Sequence, residues 1–379
     1  MFIYLFGFDE RKGSSKGNRP IMPEQQLASK VWPEVAIVVL NWNGWRDTIE
    51  CLESLQRITY PNYYIVLVDN DSNNDSVEQI KAWAMGKIPV KSKYFEYDQN
   101  SKPLQCIDFN EQELISSKSL LKNKKVSKLC CKKDFVLIRA TQNWGFAGGN
   151  NLGIRYSLDY GADYIFLVNN DTVVLPNTLT QLMGQVIKKS TIGIIGPKIC
   201  FYSNSERIWS AGGKLGFLRG TGYNLGMNTL DGDQYNGLVH STFITGCCML
   251  IKRELIKDIG MLDSLYFLYI EDVDFCWRAI NKGWELAVYL DAVIYHKISS
   301  SLNYKTSSQA YFFSRNRKYF SIKHHSFLQR TAFNLFVFFS KVLKFILWAI
   351  MGHKDLIKAT VQGYKDCQRG LMGNNVTEN

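Results

Sequence analysis

The chain has no Cys-x-x-Cys, no zinc-holding spacing of histidines and cysteines, and no basic-aromatic block of the RNA-reading kind. Those absences set aside a structural zinc site and make nucleic acid a poor partner. Nine cysteines, an odd number with adjacent pairs at 130–131 and 247–248, read as reduced thiols rather than a disulfide framework. No internal repeat is present. The start lacks basic residues and its apolar stretch, 1–6, is too short for a signal peptide. Residues 1–33 read as a disordered polar extension, with Met22 as an alternative start. There is no Gly-x-Gly-x-x-Gly either. Gly145, Gly148, Gly149 and Gly153 have the wrong spacing, which disfavours nicotinamide binding.

What the chain does have is a globular composition. Its 379 residues are 46% hydrophobic and 21% charged, enough to bury a full core. The net charge of +11 points to anionic lipid or a phosphorylated ligand once nucleic acid is set aside. Part of it is concentrated: residues 117–133 hold seven lysines and no acid.

Apolar runs at 35–40, 64–68, 135–138 and 164–168 read as buried strands, and helical spacing lies between them. Alternating strands and helices describe a doubly wound, mostly parallel sheet. Each strand ends in polar residues, at the edge where such sheets bind ligands. The segment 91–133 reads as a basic insertion, a disordered or peripheral flap. Residues 203–237 are glycine-rich and suggest loops and short antiparallel strands over a substrate.

The fourth run ends in Asn169-Asn170-Asp171, oxygen donors of the kind that hold Mg2+ or Mn2+ together with substrate phosphates. Helix capping is the plainer role for the same residues. Asp69 stands where a pyrimidine N3–H would be read, or is an ordinary turn residue. Glu271 and Asp272 follow the aromatic run 266–270, where burial raises a carboxylate toward a useful base. His296 is a third metal ligand, a diphosphate donor or a core histidine. Arg315 and Arg317 hold diphosphate or lipid headgroups, or cover a solvated face. Asp274 and Arg278, one helical turn apart, form a structural pair.

Residues 333–351 contain only four polar side chains, Asn334, Ser340, Lys341 and Lys344. The run approaches spanning length, but its lysines share a face near the middle, where a span would make them costly. An interfacial helix on an anionic leaflet fits better than a span or a core or oligomer helix.

In order, Asn41-Trp42-Asn43-Gly44, Asp69-Asn70-Asp71-Ser72, 143–153, Asn169-Asn170-Asp171, 246–250 and Glu271-Asp272-Val273-Asp274 resemble the family 2 glycosyltransferases, in particular their rhamnosyltransferase-like branch. The resemblance covers roughly 34–320. It implies the GT-A fold: an α/β chain with a nucleotide-sugar subdomain at 34–200, an acceptor subdomain at 201–325 and a membrane-associated helix and tail at 326–379. It also implies an inverting, metal-dependent sugar transfer from a UDP- or dTDP-sugar, dTDP-rhamnose among the candidates. The acceptor would be a glycan or lipid-linked hydroxyl at the inner face of the cell membrane.

Residue by residue, the resemblance makes Asp272 the general base with Glu271 beside it. It directs Asp171 to the metal, with Asn169 in the same motif, and His296, from its place after a strand, is the further metal candidate. Asn41, Asn43, Asp69, Asn143, Gly148, Asn170 and Arg315 would face the nucleotide sugar, and Gly246, Trp209 and Glu271 the acceptor. Asn169 stands where the family's DxD motif has its first aspartate. The competing readings are a sugar nucleotidyltransferase, which lacks a glycine-rich basic loop after the first strand, and an inactive glycan- or membrane-binding scaffold.

Overall fold

The computed structural model describes residues 32–116, 134–297 and 306–373. Its first half alternates: β1 (Val35–Asn41), α1 (Trp45–Leu55), β2 (Tyr63–Asp69), α2 (Ser76–Ala84), β3 (Cys106–Asn110), α3 (Glu111–Ser116), β4 (Phe135–Arg139) and α4 (Gly145–Tyr160). Then come β5 (Tyr164–Asn169), β6 (Thr172–Val174), α5 (Thr178–Lys188), β7 (Ile192–Phe201), β8 (Ile208–Ser210), β9 (Gly213–Gly216) and β10 (Thr221–Asn224). The remainder is β11 (Leu238–Ser241), β12 (Cys248–Lys252), α6 (Arg253–Ile259), α7 (Glu271–Asn281), β13 (Glu285–His296), α8 (Ser307–His324), α9 (Phe327–Ile350) and α10 (Lys354–Gln368).

One mixed sheet organises the chain, in the order β11-β13-β7-β12-β5-β1-β2-β4-β3. β1 runs parallel to β2 and β5, and β4 runs parallel to β2 and β3. β12 is antiparallel to both β5 and β7, while β13 returns parallel to β7. This is the expected α/β class with a central sheet. The sheet passes without a break from the first expected subdomain into the second. β9 and β10 pair as a separate small hairpin within the glycine-rich stretch.

β1, β2 and β4 are apolar and buried almost throughout, because helices cover both faces of a parallel sheet. α4 packs on β1 and β2 at very short range. A Cβ on Gly153 would lie 2.5 Å from Val38 Cγ1, and one on Gly149 would lie 2.5 Å from Leu40 Cδ1. The glycine block 145–153 is therefore the first half of α4, its glycines serving close approach to the sheet.

The 91–133 segment needs a correction. Inside it, β3 extends the sheet, burying Ile107 and Phe109 while Asp108 meets Lys81 at 2.6 Å and Arg139 at 2.8 Å. Two apolar residues alternating with polar ones are a half-buried edge strand, too short a pattern to stand out. Residues 117–133, with the seven lysines, lie outside the described residues.

Candidate active site

Two cavities meet over the carboxyl end of β5. One, of about 520 Å³, is walled by Asn169, Trp209, Gly246, Glu271, Asp272 and His296. The other, of about 320 Å³, is walled by Trp42, Asn70, Asn143, Asn170, Phe267 and Phe312. Phe146, Asn169 and Leu268 line both, so they form one cleft.

The smaller cavity has a hydrogen-bonded floor that ties three strand ends together. Asn41 Nδ2 donates to Asp69 Oδ1 at 2.7 Å, and Thr48 Oγ1 donates to Asn41 Oδ1 at 2.7 Å. Asn170 Nδ2 then donates to Thr48 Oγ1 at 2.9 Å. Asp69 also accepts from Ser72 Oγ and Ser72 N. Asn43, at φ 55°, accepts from Asn73 N and so fixes the loop after β2. Asn143 Oδ1 accepts from Asn70 Nδ2 at 2.9 Å. Trp42, 55% exposed, offers an indole face here that sequence reasoning did not single out. Its only signal was its place within Asn41-Trp42-Asn43-Gly44.

Sheet register builds the second corner. β13 lies antiparallel to β6 with His296 opposite Thr172, which brings the histidine beside Asp171. His296 Nε2 lies 3.1 Å from an Asp171 carboxylate oxygen, and the Trp209 ring stands edge-on to the imidazole at 4.8 Å. Burial alone would lower the imidazole's pKa. The Cys247 sulfur and the Asp171 carboxylate outweigh it and raise the value to about 10. Asp171 Oδ1 takes no hydrogen bond but lies 3.1 Å from His296 Nε2 in the ion pair. The Asp171 carboxylate and the Asn169 side-chain oxygen are hard donors of the kind a divalent cation takes, and His296 would join them only after losing its proton. Sequence left His296 open among three roles, and the register brings it to Asp171.

Asp272 sits in the first turn of α7. Its Oδ2 accepts from Gly246 N at 2.9 Å and its Oδ1 from Val273 N at 2.8 Å. Burial raises its pKa despite these two bonds. Glu271, 5% exposed with Oε2 unpartnered, is pushed well above the carboxylate range by burial and then by Asp272. Burial and the neighbouring carboxylate thus favour the protonated form of Glu271 more strongly than burial favours that of Asp272. Asp274 goes the other way. Burial opposes its charge, yet His324 at 2.7 Å, Arg278 at 2.7 Å and Lys323 at 2.8 Å hold it far below the usual range. That cluster ties α7 to α8.

The sign of the Glu271 shift gives a stability prediction. A carboxyl whose pKa rises on folding favours the folded state below its unfolded value, about 4.3, and penalises it increasingly above. Glu271→Gln is expected to unfold at higher urea concentration than the parent, with the gap wider at pH 8 than at pH 5. An equal gap at both pH values would mean that Glu271 is not buried protonated.

Two expected donor contacts lie elsewhere. Gly148, expected to face the nucleotide sugar, is inside α4, where a Cβ would meet Trp144 Cβ at 2.8 Å. Phe146 N, in the first turn of α4, donates to Phe267 O at 2.6 Å. Arg315 is fully buried and donates to the carbonyls of Gly373 and Tyr266 at 2.9 Å, drawn there by backbone oxygens turned inward.

The sequence matches the family model described as "Glycosyltransferase like family 2" over residues 126–321, and "Glycosyl transferase family 2" over 36–102. Among relatives, a low-salt glycan biosynthesis hexosyltransferase of Haloferax volcanii is 28% identical over 191 residues, half of this chain and 60% of that one. An N-acetylglucosaminyl-diphospho-decaprenol L-rhamnosyltransferase of Mycobacterium tuberculosis is 38% identical over 61 residues, 16% of this chain and 20% of the other. A crystal structure of GalNAc-T7 with UDP, GalNAc and Mn2+ is 15% identical with a TM-score of 0.49, covering 76% of this chain and 50% of that one. The chain spans less than two thirds of the length of these curated relatives. With one family model covering half of its residues, the chain belongs to glycosyltransferase family 2.

Proposed function

We propose that the chain is an inverting glycosyltransferase that uses a UDP- or dTDP-sugar, with dTDP-rhamnose the first candidate, and a glycan or lipid-linked hydroxyl as acceptor. The observation that carries this reading is the single cleft in which Asp272, Asn169 and His296, the partner of Asp171, line one cavity. Relatives named for rhamnosyl transfer, one of them a dTDP-rhamnosyl transferase of Shigella flexneri, support the sugar.

The nucleoside enters the smaller cavity. Trp42 flanks the base, and Asp69 Oδ2, which accepts from Ser72 N, keeps a lone pair for a pyrimidine N3–H. Asn169 and Asp171, with His296 once neutral, would hold Mg2+ or Mn2+, whose charge would offset that of the diphosphate leaving group. Asp272 Oδ2 takes the proton of the acceptor hydroxyl. The acceptor oxygen forms its bond to the anomeric carbon as the bond to the diphosphate oxygen breaks, through an oxocarbenium-like state. A single displacement inverts the carbon. Trp209, Tyr223 and Tyr269 wall the acceptor side, where flat rings suit the face of a pyranose.

α9 carries the location. It is 24 residues long, with a capping box at Ser326 and Gln329, and its most apolar window is 17% buried. Leu328, Phe339, Leu343 and Ile350 are each exposed by 64% or more, whereas Lys341 and Lys344 are only partly exposed. An apolar stripe facing out, with the two lysines turned partly inward, suits a helix lying in the surface of a membrane. This supports a working position at the inner face of the cell membrane.

The test is nucleoside diphosphate release from UDP- and dTDP-sugars with Mn2+ or Mg2+. Release from one donor is expected, abolished by chelation and reduced at least 100-fold in Asp171→Ala. If neither free UDP nor free dTDP raises the melting temperature, the nucleotide-sugar reading fails.

A further inference from the structure

α8, α9 and α10 pack at the end of the chain around Ala310, Trp348 and Leu356. A second cavity of about 520 Å³ opens between α9 and α10, apart from the cleft. Its walls are Val337, Phe338, Val342, Phe345, Val361 and Tyr364. Lys318, Lys341 and Lys365, one from each helix, also line it, and among the described residues no acidic side chain does. Lys318 donates to Asn334 Oδ1 at 2.8 Å, which holds that amine at the groove. The Tyr364 hydroxyl is buried there with no hydrogen-bond partner.

This combination is specific. An apolar trough flanked by three ammonium groups repels a cationic or purely apolar occupant and suits one with a long hydrocarbon and an anionic head. Its volume is that of a ligand site rather than a packing defect. A hydroxyl without a partner is a donor waiting for an acceptor oxygen. The trough lies along α9, whose outer face is apolar and uncovered.

We infer that the groove between α9 and α10 holds one anionic phospholipid, its acyl chain against Val337, Phe345 and Val361 and its phosphate among Lys318, Lys341 and Lys365. The source is the bilayer on which α9 rests, so the inference builds on the membrane reading of that helix. Its consequence is a fixed depth and orientation: a lipid gripped from three helices pins α8 to the headgroup layer. Phe312 and Phe313 of α8 line the two halves of the cleft, so the same grip sets the height of the site above the membrane.

Native mass spectrometry of the intact chain in neutral detergent, with phosphatidylglycerol or phosphatidylcholine added, reads the groove directly. One phosphatidylglycerol per chain is expected, with phosphatidylcholine bound at least tenfold more weakly. The double variant Lys341→Gln with Lys365→Gln is expected to lose about tenfold in phosphatidylglycerol affinity. The charge-matched pair Lys354→Gln with Lys358→Gln, outside the groove, should stay within twofold. Val361→Trp, which fills the trough, should bind no lipid yet still float with anionic vesicles through α9. Equal losses in the two double variants, or a floating parent chain that retains no lipid, would overturn the groove. Flotation is scored separately: a chain that retains the lipid but does not float would uphold the groove and remove the membrane reading.

Discussion

Asp272→Asn is expected to lower sugar transfer by about 10² to 10⁴ while donor binding persists. The substitution keeps the shape of the side chain and removes its ability to take a proton. Its structural cost is small and identifiable. Asp272 accepts from two backbone N–H groups, Gly246 and Val273, and an asparagine turns an NH2 toward one of them. Losing one such bond costs about 1 kcal/mol, a modest fall in melting temperature. Free UDP or dTDP, for which the smaller cavity is the proposed site, should stabilise parent and variant equally. The parent's own pH profile supplies an independent reading. Because burial raises the Asp272 pKa, kcat/KM should rise with pH through a limb lying above the ordinary aspartate value of about 3.9. That limb should vanish in the variant's residual rate. A variant that keeps more than a tenth of the parent kcat would remove Asp272 from the role of base.

The parallel half of the sheet was legible because its strands are buried on both faces and therefore read as unbroken apolar runs. β3 was not, since an edge strand with Asp108 at its centre buries only alternate residues. Asp171 and Asp272 were legible as chemistry and not as neighbours: Asp272 shares a cavity with Asn169 and with His296, the partner of Asp171, because β12 inserts antiparallel between β5 and β7. The same limit applied to His296. A histidine at the end of a strand has no partner in the sequence, and the register of β13 against β6 supplies one. Arg315 shows the opposite error. Ser314-Arg315-Asn316-Arg317 has the composition of an anion site, and nothing in it says that carbonyl oxygens from 50 residues upstream will meet the guanidinium. Those carbonyls face α8 because the backbone there takes conformations that side-chain identity argues against.

That segment carries the second large prediction. Phe267 sits at φ 63° and ψ −62°, the centre of a γ-turn closed by Leu268 N to Tyr266 O at 2.7 Å. Tyr269 and Ile270 follow at φ 69° and 73°. Three left-handed non-glycine residues in four, one of them β-branched, cost about 1–3 kcal/mol each. Such strain persists only where the surroundings over-determine it, and here one side chain does much of that. Asn316 is fully buried, and its Nδ2 donates to the carbonyls of Tyr266, Leu268 and Tyr269, each at 2.8 Å. Its Oδ1 in turn accepts from Arg315 Nε at 3.0 Å. The strained turn delivers Phe267 to the donor cavity and leads directly into Glu271 and Asp272. Asn316→Ala is expected to destabilise the chain by about 2–4 kcal/mol, by leaving buried carbonyls unpaired. Asn316→Asp should be worse than alanine although it fills the same space, because it sets carboxylate oxygens against three carbonyl oxygens. Under conditions where Asn316→Ala remains folded, its kcat should fall at least tenfold with free-nucleotide affinity nearly kept, since the floor made by Asp69, Asn41, Thr48 and Asn170 does not depend on the turn. Urea unfolding and nucleotide titration on the three proteins decide it: an aspartate variant as stable as the parent would show that Asn316 fills space there and does not clamp the turn.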